Sequence, residues 1–162
     1  MDVRQSRSHS VTQSRFLVTE ESGRLARWLR LLGYDTVLMP AQPLSALYRT
    51  AYNEGCVVVT RNRNVGASHL FRVVQLAGSR LDEQLRQLMR EGVVVIEHAR
   101  LFTRCDLCNV PLDRVEKSDV QSLVPPYVFQ TQERFHRCPV CQRVYWAATH
   151  WARARAFFEK IQ

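Results

Sequence analysis

The sequence predicts an α/β fold with a mostly parallel sheet over its first hundred residues, followed by a smaller module of different character. Short apolar, β-branched runs alternate with segments whose apolar residues recur at helical spacing, a pattern typical of parallel strands connected by helices. The alternation stops near Phe102, where cysteines, turn residues and the pair Pro125-Pro126 replace it. We therefore expect a disordered basic tail over residues 1–15, an α/β domain over 16–100, and a cysteine-containing module with a terminal helix over 101–162.

Each predicted element follows from a local pattern. Phe16–Val18 and Thr36–Met39 are short apolar runs that suit strands, and Cys56–Thr60 is continuously apolar and β-branched, as in a strand buried on both faces. Between the first two strands, one helical face carries Leu25, Trp28, Leu29 and Leu32, and Gly33 ends that helix. The remaining predictions are a weaker helix over 44–53, a strand over 71–76, a helix over 81–89, a strand over 93–96, β structure over 135–146 and a terminal helix over 151–161.

The chain is basic, with a formal net charge of +8 and a pI of about 9.8. A basic balance favours polyanionic partners such as RNA, although the charge could serve solubility alone. No apolar run reaches the ~18 residues that a membrane span needs, and the polar first residues lack the apolar core of a secretory signal. These features predict an intracellular, most simply cytoplasmic, protein without a membrane partner.

Four of the five cysteines form two C-x-x-C pairs, Cys105 with Cys108 and Cys138 with Cys141, and 29 residues separate the pairs. In a reducing compartment such pairs bind metal more often than they form disulfides. Zinc prefers four thiolates in a tetrahedron, and a closed four-cysteine shell leaves no position for a substrate. We expect a structural zinc ion that helps to fold a module poor in apolar residues. A redox dithiol and an iron centre are the alternatives, and the fifth cysteine, Cys56, is expected to be an apolar filler of a buried strand.

Several motifs make the chain recognisable when they are taken together. They are FLV at 16–18, GRLARWLRLLGYDT at 23–36, EG-x-VVVTR at 54–61, EQL at 83–85, FTRCDLCN at 102–109, a following VP, CPVC-x-x-VYW at 138–146 and HW at 150–151. This set resembles the Mut-seven C-terminal RNase domain family over residues 16–151, nearly the whole chain. The resemblance implies a PIN-like three-layer sandwich joined to a zinc ribbon. It also implies RNA hydrolysis with Mg²⁺ or Mn²⁺, held by carboxylates at the carboxyl ends of parallel strands.

The chain departs from the family pattern where the resemblance places those carboxylates. In the family an Asp follows FLV, whereas this chain has Thr19. In the family an acidic residue opens the second helix, whereas residues 43–45 of this chain contain no acidic residue. In the family the third strand is followed by the sequence TRD, whereas this chain has Asn62 in place of the Asp. Because hard divalent cations need charged oxygen ligands, we expect a protein that binds RNA or a ribonucleoprotein and lacks nuclease activity. Whether the protein is an enzyme is left open, since the family it resembles hydrolyses RNA. The acids nearest to the lost positions are Glu20, Glu21 and Asp35.

Two alternatives stay open. One is an RNase whose site has reorganised around the neighbouring acids and uses Mg²⁺ or Mn²⁺; the other is a protein-interaction module that docks a partner through the ribbon or the terminal helix. The residues expected to contact RNA are basic or aromatic: Arg24, Arg27, Arg30, Arg61, Arg63, Arg104, Arg137, Arg143, Trp146 and His150. The competing interpretation is a solvated helix face for the arginines, and packing of the ribbon against the first domain for Tyr145 and Trp146.

Overall fold

The computed structural model describes residues 14–147 and 149–161, and it leaves out the side chains of Thr149 and His150. Most of the expected tail over residues 1–15 therefore lies outside the described residues. The chain divides into two compact units: an N-terminal unit that runs to Gly23 and resumes over Val37–Val95, and a C-terminal unit made of Arg24–Thr36 and residues from Ile96 onward. Residues 24–36 thus group with the C-terminal unit, and the expected domain bounds stay a prediction.

Strands and helices alternate through the N-terminal part of the chain. In chain order the elements are β1 (Phe16–Thr19), α1 (Gly23–Leu31), β2 (Thr36–Met39), α2 (Leu44–Glu54), β3 (Val57–Thr60), β4 (Val73–Gln75), α3 (Leu81–Arg90), β5 (Asp113–Val115), α4 (Pro126–Thr131), β6 (Phe135–Arg137), β7 (Val144–Trp146) and α5 (Thr149–Ile161). The first four strands form one parallel sheet in the order β2-β1-β3-β4. The predicted α/β class with a mostly parallel sheet is confirmed.

The strand order determines where this sheet can bind a ligand. Strand β1 pairs in parallel with β3, with Phe16 opposite Val57, and β3 pairs in parallel with β4. Strand β2 lies on the other side of β1, so the winding of the chain reverses between β1 and β3. In open α/β sheets a crevice forms at the carboxyl ends of the strands that flank such a reversal. Here those ends are Thr19 and Thr60.

A buried cluster stabilises the N-terminal unit around β1, α2 and β3. Leu17, Leu47, Ala51, Cys56 and Val58 are all at most 3% exposed and contact one another. Burial of such side chains contributes about 1.5–3 kcal/mol for each large one. Cys56 is thus a core residue, as the sequence predicted.

Residues Val93–Ile96 do not form the predicted strand. The backbone N–H groups of Val93 and Val94 both donate to the carbonyl oxygen of Leu88, at 3.0 and 3.3 Å, and so complete the last turn of α3. Groups used in this way are lost to a sheet ladder. Val93 and Val94 are nevertheless buried, which explains the strand-like apolar pattern.

The C-terminal unit contains an antiparallel sheet in the order β5-β6-β7. Val120, Val124 and Phe135 form its buried cluster, against which Trp146 packs. The sequence did not predict β5 or α4, because Pro125-Pro126 reads as a loop. In the structure Pro126 occupies the first turn of α4, where the missing N–H is no loss.

Helix α1 packs within the C-terminal unit. Its Trp28 makes edge-to-face contacts with Phe157 and Phe158 of α5, with ring centroids 4.6 and 5.3 Å apart. Phe102 stacks on Trp151 at 4.4 Å, and its backbone N–H donates to Leu31 of α1. These contacts explain why residues 24–36 group with the C-terminal residues.

Candidate metal centre and candidate nucleic-acid site

The four paired cysteines meet in the C-terminal unit. Their sulfur atoms all lie within 4.8 Å of one another, and the sulfurs of Cys105 and Cys141 are 3.9 Å apart. A tetrahedron with metal–sulfur bonds of about 2.3 Å has edges of about 3.8 Å. The cluster therefore could hold one metal ion, and no other group of three or more suitable ligands occurs among the described residues.

The first pair lies on a tight turn that directs both sulfurs to one point. The backbone N–H of Cys108 donates to the sulfur of Cys105 at 3.3 Å, and the N–H of Asn109 donates to the Cys105 carbonyl at 3.0 Å. Cys105 in turn donates its N–H to Val110 at 2.8 Å. Asn109 has a positive φ of 61°, a conformation that Asn adopts more readily than most residues.

The second pair repeats the same turn with different residues. The N–H of Cys141 donates to the sulfur of Cys138 at 3.4 Å, and Gln142 donates to the Cys138 carbonyl at 3.0 Å with a φ of 60°. Cys138 donates its own N–H to Arg143 at 3.0 Å. Because N–H donors face the sulfurs in both turns, the backbone favours thiolates, the form that binds metal.

Crowding opposes ionisation of all four cysteines in the absence of a cation. Burial raises the pKa of Cys105, but hydrogen bonds from Tyr145 and from backbone N–H groups outweigh burial and lower it to about 7. The pKa of Cys108 rises to about 12, because its thiol shares a hydrogen bond with Cys141, is partly desolvated and faces Cys105. A divalent ion would remove this repulsion, so the donor set fits a metal.

Two arginines of α1 hold the first cysteine turn. Arg27 forms an ion pair with Asp106, with Nη2 at 2.5 Å and Nε at 3.1 Å from Oδ2. Arg30 is 8% exposed, and its Nη1 donates to the carbonyl oxygens of Asp106 and Leu107 at 2.9 Å each. Its Nε donates to the carbonyl of Thr36 at 2.9 Å. Both side chains therefore stabilise the first cysteine turn of the candidate metal centre.

Tyr145 extends this contact to the sulfur cluster. Its hydroxyl donates to Oδ1 of Asp106 at 2.9 Å and lies 3.1 Å from the sulfur of Cys105. Burial, together with the hydrogen bonds to Cys105 and Asp106, raises the pKa of Tyr145, so the phenol keeps its proton. Burial also raises the pKa of Asp106, but hydrogen bonds from Arg27 and Tyr145 outweigh it and lower that pKa overall. A chain of hydrogen bonds thus connects Cys105, a candidate metal ligand, through Tyr145 and Asp106 to Arg27 of α1.

Asp35 also contacts the first cysteine turn, through Asn109. Its Oδ1 accepts a hydrogen bond from Nδ2 of Asn109 at 2.7 Å, while the backbone N–H of Thr36 donates to Oδ1 of Asn109 at 2.9 Å. The motifs GYDT and CDLCN are therefore linked through one side chain. Asp35 does not line the cavity at the carboxyl ends of β1 and β3.

A hydroxyl and carboxylate network occupies the carboxyl ends of β1 and β3. The Thr19 hydroxyl lies 2.8 Å from that of Thr60 and 2.5 Å from Oε1 of Glu21. The Thr60 hydroxyl and the backbone N–H of Arg61 also donate to this Oε1, at 3.1 and 2.8 Å. Burial raises the pKa of Glu21, but these hydrogen bonds outweigh it and hold the pKa below its ordinary value. Glu21 is therefore an ionised group whose Oε1 is saturated with donors.

An open cavity of about 140 Å³ adjoins this network, and Thr19, Glu20, Glu21 and Asn62 all line it. Oε2 of Glu20 accepts the backbone N–H of Ala41 at 2.9 Å. Glu20 and Glu21 lie on a 3-10 turn rather than on a strand, so they do not point to opposite faces as strand neighbours would. The positions expected to be degenerate and two of the candidate acids thus meet at one edge.

The arginines predicted to contact RNA fall into two groups. Arg27 and Arg30 bind the first cysteine turn, and Arg104 donates to the carbonyl of Asn109 at 2.5 Å. The others are exposed, apart from a partly buried Arg137 whose Nε has no hydrogen-bond partner; the exposed members are Arg24, Arg61, Arg63 and Arg143. Arg27 is also exposed, at 54% of its side chain, but its guanidinium is paired with Asp106.

The two remaining candidates differ in what the structure says about them. Trp146 is partly buried and packs against Phe135 and Val120 within its own unit. The side chain of His150 lies outside the described residues. Sequence reasoning missed Asp106, and it considered Tyr145 as an aromatic residue of the ribbon but not as a contact of the cysteine cluster. The pattern that could have indicated Asp106 is an acid inside C-x-x-C in a chain whose first helix carries regularly spaced arginines.

Comparison with known proteins adds a family to this geometry. None of the helices in the described part of the chain is both long and apolar enough to cross a membrane. No curated protein and no solved structure was found to match the chain. A family model described as the Mut7-C RNAse domain matches residues 14–158. The chain therefore belongs to the Mut7-C RNAse domain family, as its motifs predicted.

Proposed function

We propose that this protein binds RNA at the carboxyl edge of its parallel sheet, holds a structural zinc ion in its C-terminal unit, and lacks efficient metal-dependent nuclease activity. The observation on which this depends is the chemistry of that edge. Thr19 and Asn62 provide neutral oxygens, and Oε1 of Glu21 is saturated by three donors. Mg²⁺ and Mn²⁺ favour several carboxylate and water oxygens, whereas this edge offers only the carboxylates of Glu20 and Glu21, and protein donors already bind one oxygen of each.

Binding of RNA is supported by charge as well as by family. Arg61 and Arg63 are exposed on the loop that follows β3 and flank Asn62 at the cavity. Their guanidinium groups can neutralise phosphates on either side of a nucleotide at that edge. Arg30 is omitted from the proposed interface because it is buried and bonded to three carbonyl groups.

The binding test compares two variants of equal charge. In Arg61→Glu/Arg63→Glu we expect the affinity for a single-stranded oligoribonucleotide to fall by roughly a hundredfold, and the slope of log K against log salt to decrease by about 1–2. The control is Arg49→Glu/Arg90→Glu, which changes exposed arginines of α2 and α3. Fluorescence anisotropy at several salt concentrations gives both quantities. Equal losses in the two variants would refute an RNA interface at the sheet edge.

A residual RNase is the second candidate, and Glu21 is the observation that favours it. Its carboxylate is ionised and lines the cavity. This candidate predicts Mn²⁺- or Mg²⁺-dependent cleavage that Glu21→Gln abolishes. Highly purified protein that cleaves no RNA at millimolar metal would exclude it. Thr19→Asp/Asn62→Asp then asks whether restoring charge restores activity, as we expect if only the charges are lost.

Zinc is the ion that the four-cysteine cluster fits best. Four sulfur ligands in a closed tetrahedron are typical of structural zinc, and the ion would cross-link α1, β6 and β7 through the two cysteine turns. It supplies no open coordination position and takes no part in hydrolysis. Metal analysis of purified protein tests this: one zinc per chain is expected, and iron with visible absorption would contradict it.

A further inference from the structure

The cavity at the sheet edge has an apolar floor and a polar rim. Leu47 and Val65, which are 3% and 4% exposed, lie at its base. Glu20, Glu21 and Asn62 are exposed and lie at its opening. An opening of polar groups over a small apolar base suits a flat, heteroaromatic ligand of roughly the size of one nucleobase better than a phosphate or a bulky ligand.

The rim offers both a donor and acceptors. Oδ1 of Asn62 accepts the backbone N–H of Asn64 at 3.0 Å, which assigns the amide orientation and leaves its NH₂ group directed elsewhere. Oε1 of Glu21 and Oε2 of Glu20 are engaged by protein donors, so each carboxylate keeps its second oxygen as an acceptor. The two negative charges repel a phosphate group but attract N–H donors.

We propose that this cavity binds one unpaired RNA base, guanine in preference to the other three, an inference that rests on the proposed RNA binding. One face of the base would lie on Leu47 and Val65, with its edge toward the polar groups of the rim. Guanine carries adjacent N1–H and 2-amino donors for the carboxylate oxygens of Glu20 and Glu21, and its O6 is an acceptor for the NH₂ group of Asn62. Arg61 and Arg63 then contact the flanking phosphates outside the cavity.

At this edge, phosphate binding and base binding are thus assigned to different residues. The arginines attract the backbone of any RNA, whereas the cavity discriminates among bases. A nucleotide whose base enters the cavity keeps its phosphate on the positively charged loop and away from the two glutamates. Thr19 and Asn62 carry no charge that could hold a cation in the space that the base would take.

The test uses wild-type protein and single-stranded nonamers of uridine that differ only at the central nucleotide. We expect a central guanosine to bind about tenfold more tightly than a central adenosine, cytidine, uridine or abasic nucleotide, and a central inosine, which lacks the 2-amino group, to fall between them. Equal binding of the four standard bases would refute the preference for guanine. Ala41→Trp, at the exposed opening of the cavity, should bind every one of these oligonucleotides as weakly as wild type binds the abasic one. Ala67→Trp changes an exposed alanine that does not line the cavity and should behave as wild type.

The outcomes separate the inference from the function beneath it. If wild type binds the guanosine and abasic oligonucleotides equally, while Arg61→Glu/Arg63→Glu still weakens both, the base site is refuted and RNA binding stands. If none of the oligonucleotides binds, the proposed function itself fails. Because the abasic comparison needs no variant, misfolding of Ala41→Trp cannot produce either result.

Discussion

Arg30 donates from one nitrogen, Nη1, to two successive carbonyl oxygens of the first cysteine turn, those of Asp106 and Leu107. A buried guanidinium is costly unless its donors are satisfied, and here the backbone of the metal centre satisfies them. Burial lowers the pKa of Arg30, and Asp106, Cys105 and Cys108 act in the opposite direction. Helix α1 and the cysteine cluster are therefore one structural assembly.

Replacing this guanidinium should damage both stability and metal binding. In Arg30→Met the carbonyls of Thr36, Asp106 and Leu107 lose their donor, at a cost of roughly 1–3 kcal/mol for an unsatisfied buried group. We expect a lower free energy of unfolding, by about 3 kcal/mol, and faster zinc release to a chelator. Urea denaturation and a colorimetric zinc indicator measure the two effects.

Arg24→Met is the matched control for that variant. Arg24 lies in the same helix and is exposed, so its replacement should leave both quantities within about 0.5 kcal/mol of wild type. Equal behaviour of the two variants would mean that Arg30 does not hold the turn.

The arginines of α1 show where sequence reasoning stops. Their helical spacing predicts the helix correctly and suggests a basic face toward RNA. The spacing of the arginines does not indicate that Arg30 binds Asp106, 76 residues away in the sequence. The same spacing is compatible with a solvated helix face and with a structural role. The strands β1 and β2, by contrast, follow from contiguous apolar residues and were predicted to within one residue.

Gly33 occupies a position that no other residue should tolerate. Its φ is +88°, and a Cβ atom there would lie 2.6 Å from the carbonyl oxygen of Arg100. Gly33→Ala combines a left-handed backbone, which costs roughly 1–2 kcal/mol, with that steric overlap against backbone. Gly92 has a φ of +65° with no atom within 4 Å of such a Cβ, so Gly92→Ala measures the backbone cost alone. Thermal denaturation should show a clearly larger loss for Gly33→Ala; equal losses would argue against the close approach.

The cysteine cluster predicts a clear result when single cysteines are replaced. Cys138→Ser removes one of four ligands, whereas Cys56→Ser changes a buried cysteine outside the cluster. We expect Cys138→Ser to lose stoichiometric zinc and to melt at a lower temperature, and Cys56→Ser to retain zinc despite a core defect. Substitution with Co²⁺ gives a second measurement, because tetrahedral thiolate ligation produces intense visible absorption. Retention of zinc by Cys138→Ser would contradict four-cysteine binding.

The candidate site was predictable in part, for physical reasons. The positions of Thr19 and Asn62 at this edge follow from the predicted strands, because a strand's carboxyl end fixes which residues reach the edge. The role of Glu21 could not be read in the same way. As a strand residue it would face away from Glu20, but the 3-10 turn over Glu20–Ser22 brings it back to Thr60 and Arg61.

Glu21 should make stability depend on pH in one direction. Because the folded state lowers its pKa below the ordinary value of 4.5, the unfolded chain takes up the proton first as pH falls. The stabilisation is therefore complete well above pH 4.5 and is lost as pH falls through the lowered folded-state pKa.

In Glu21→Gln this contribution is absent. We expect its urea midpoint to lie below that of wild type at pH 7, by an amount worth less than about 1 kcal/mol because the side chain is exposed, and the difference should shrink at acidic pH. Glu159→Gln, at an exposed position of α5, should track wild type throughout. A difference between Glu21→Gln and wild type that is the same at pH 7 and at acidic pH would show that the hydrogen bonds at the sheet edge do not favour the ionised carboxylate.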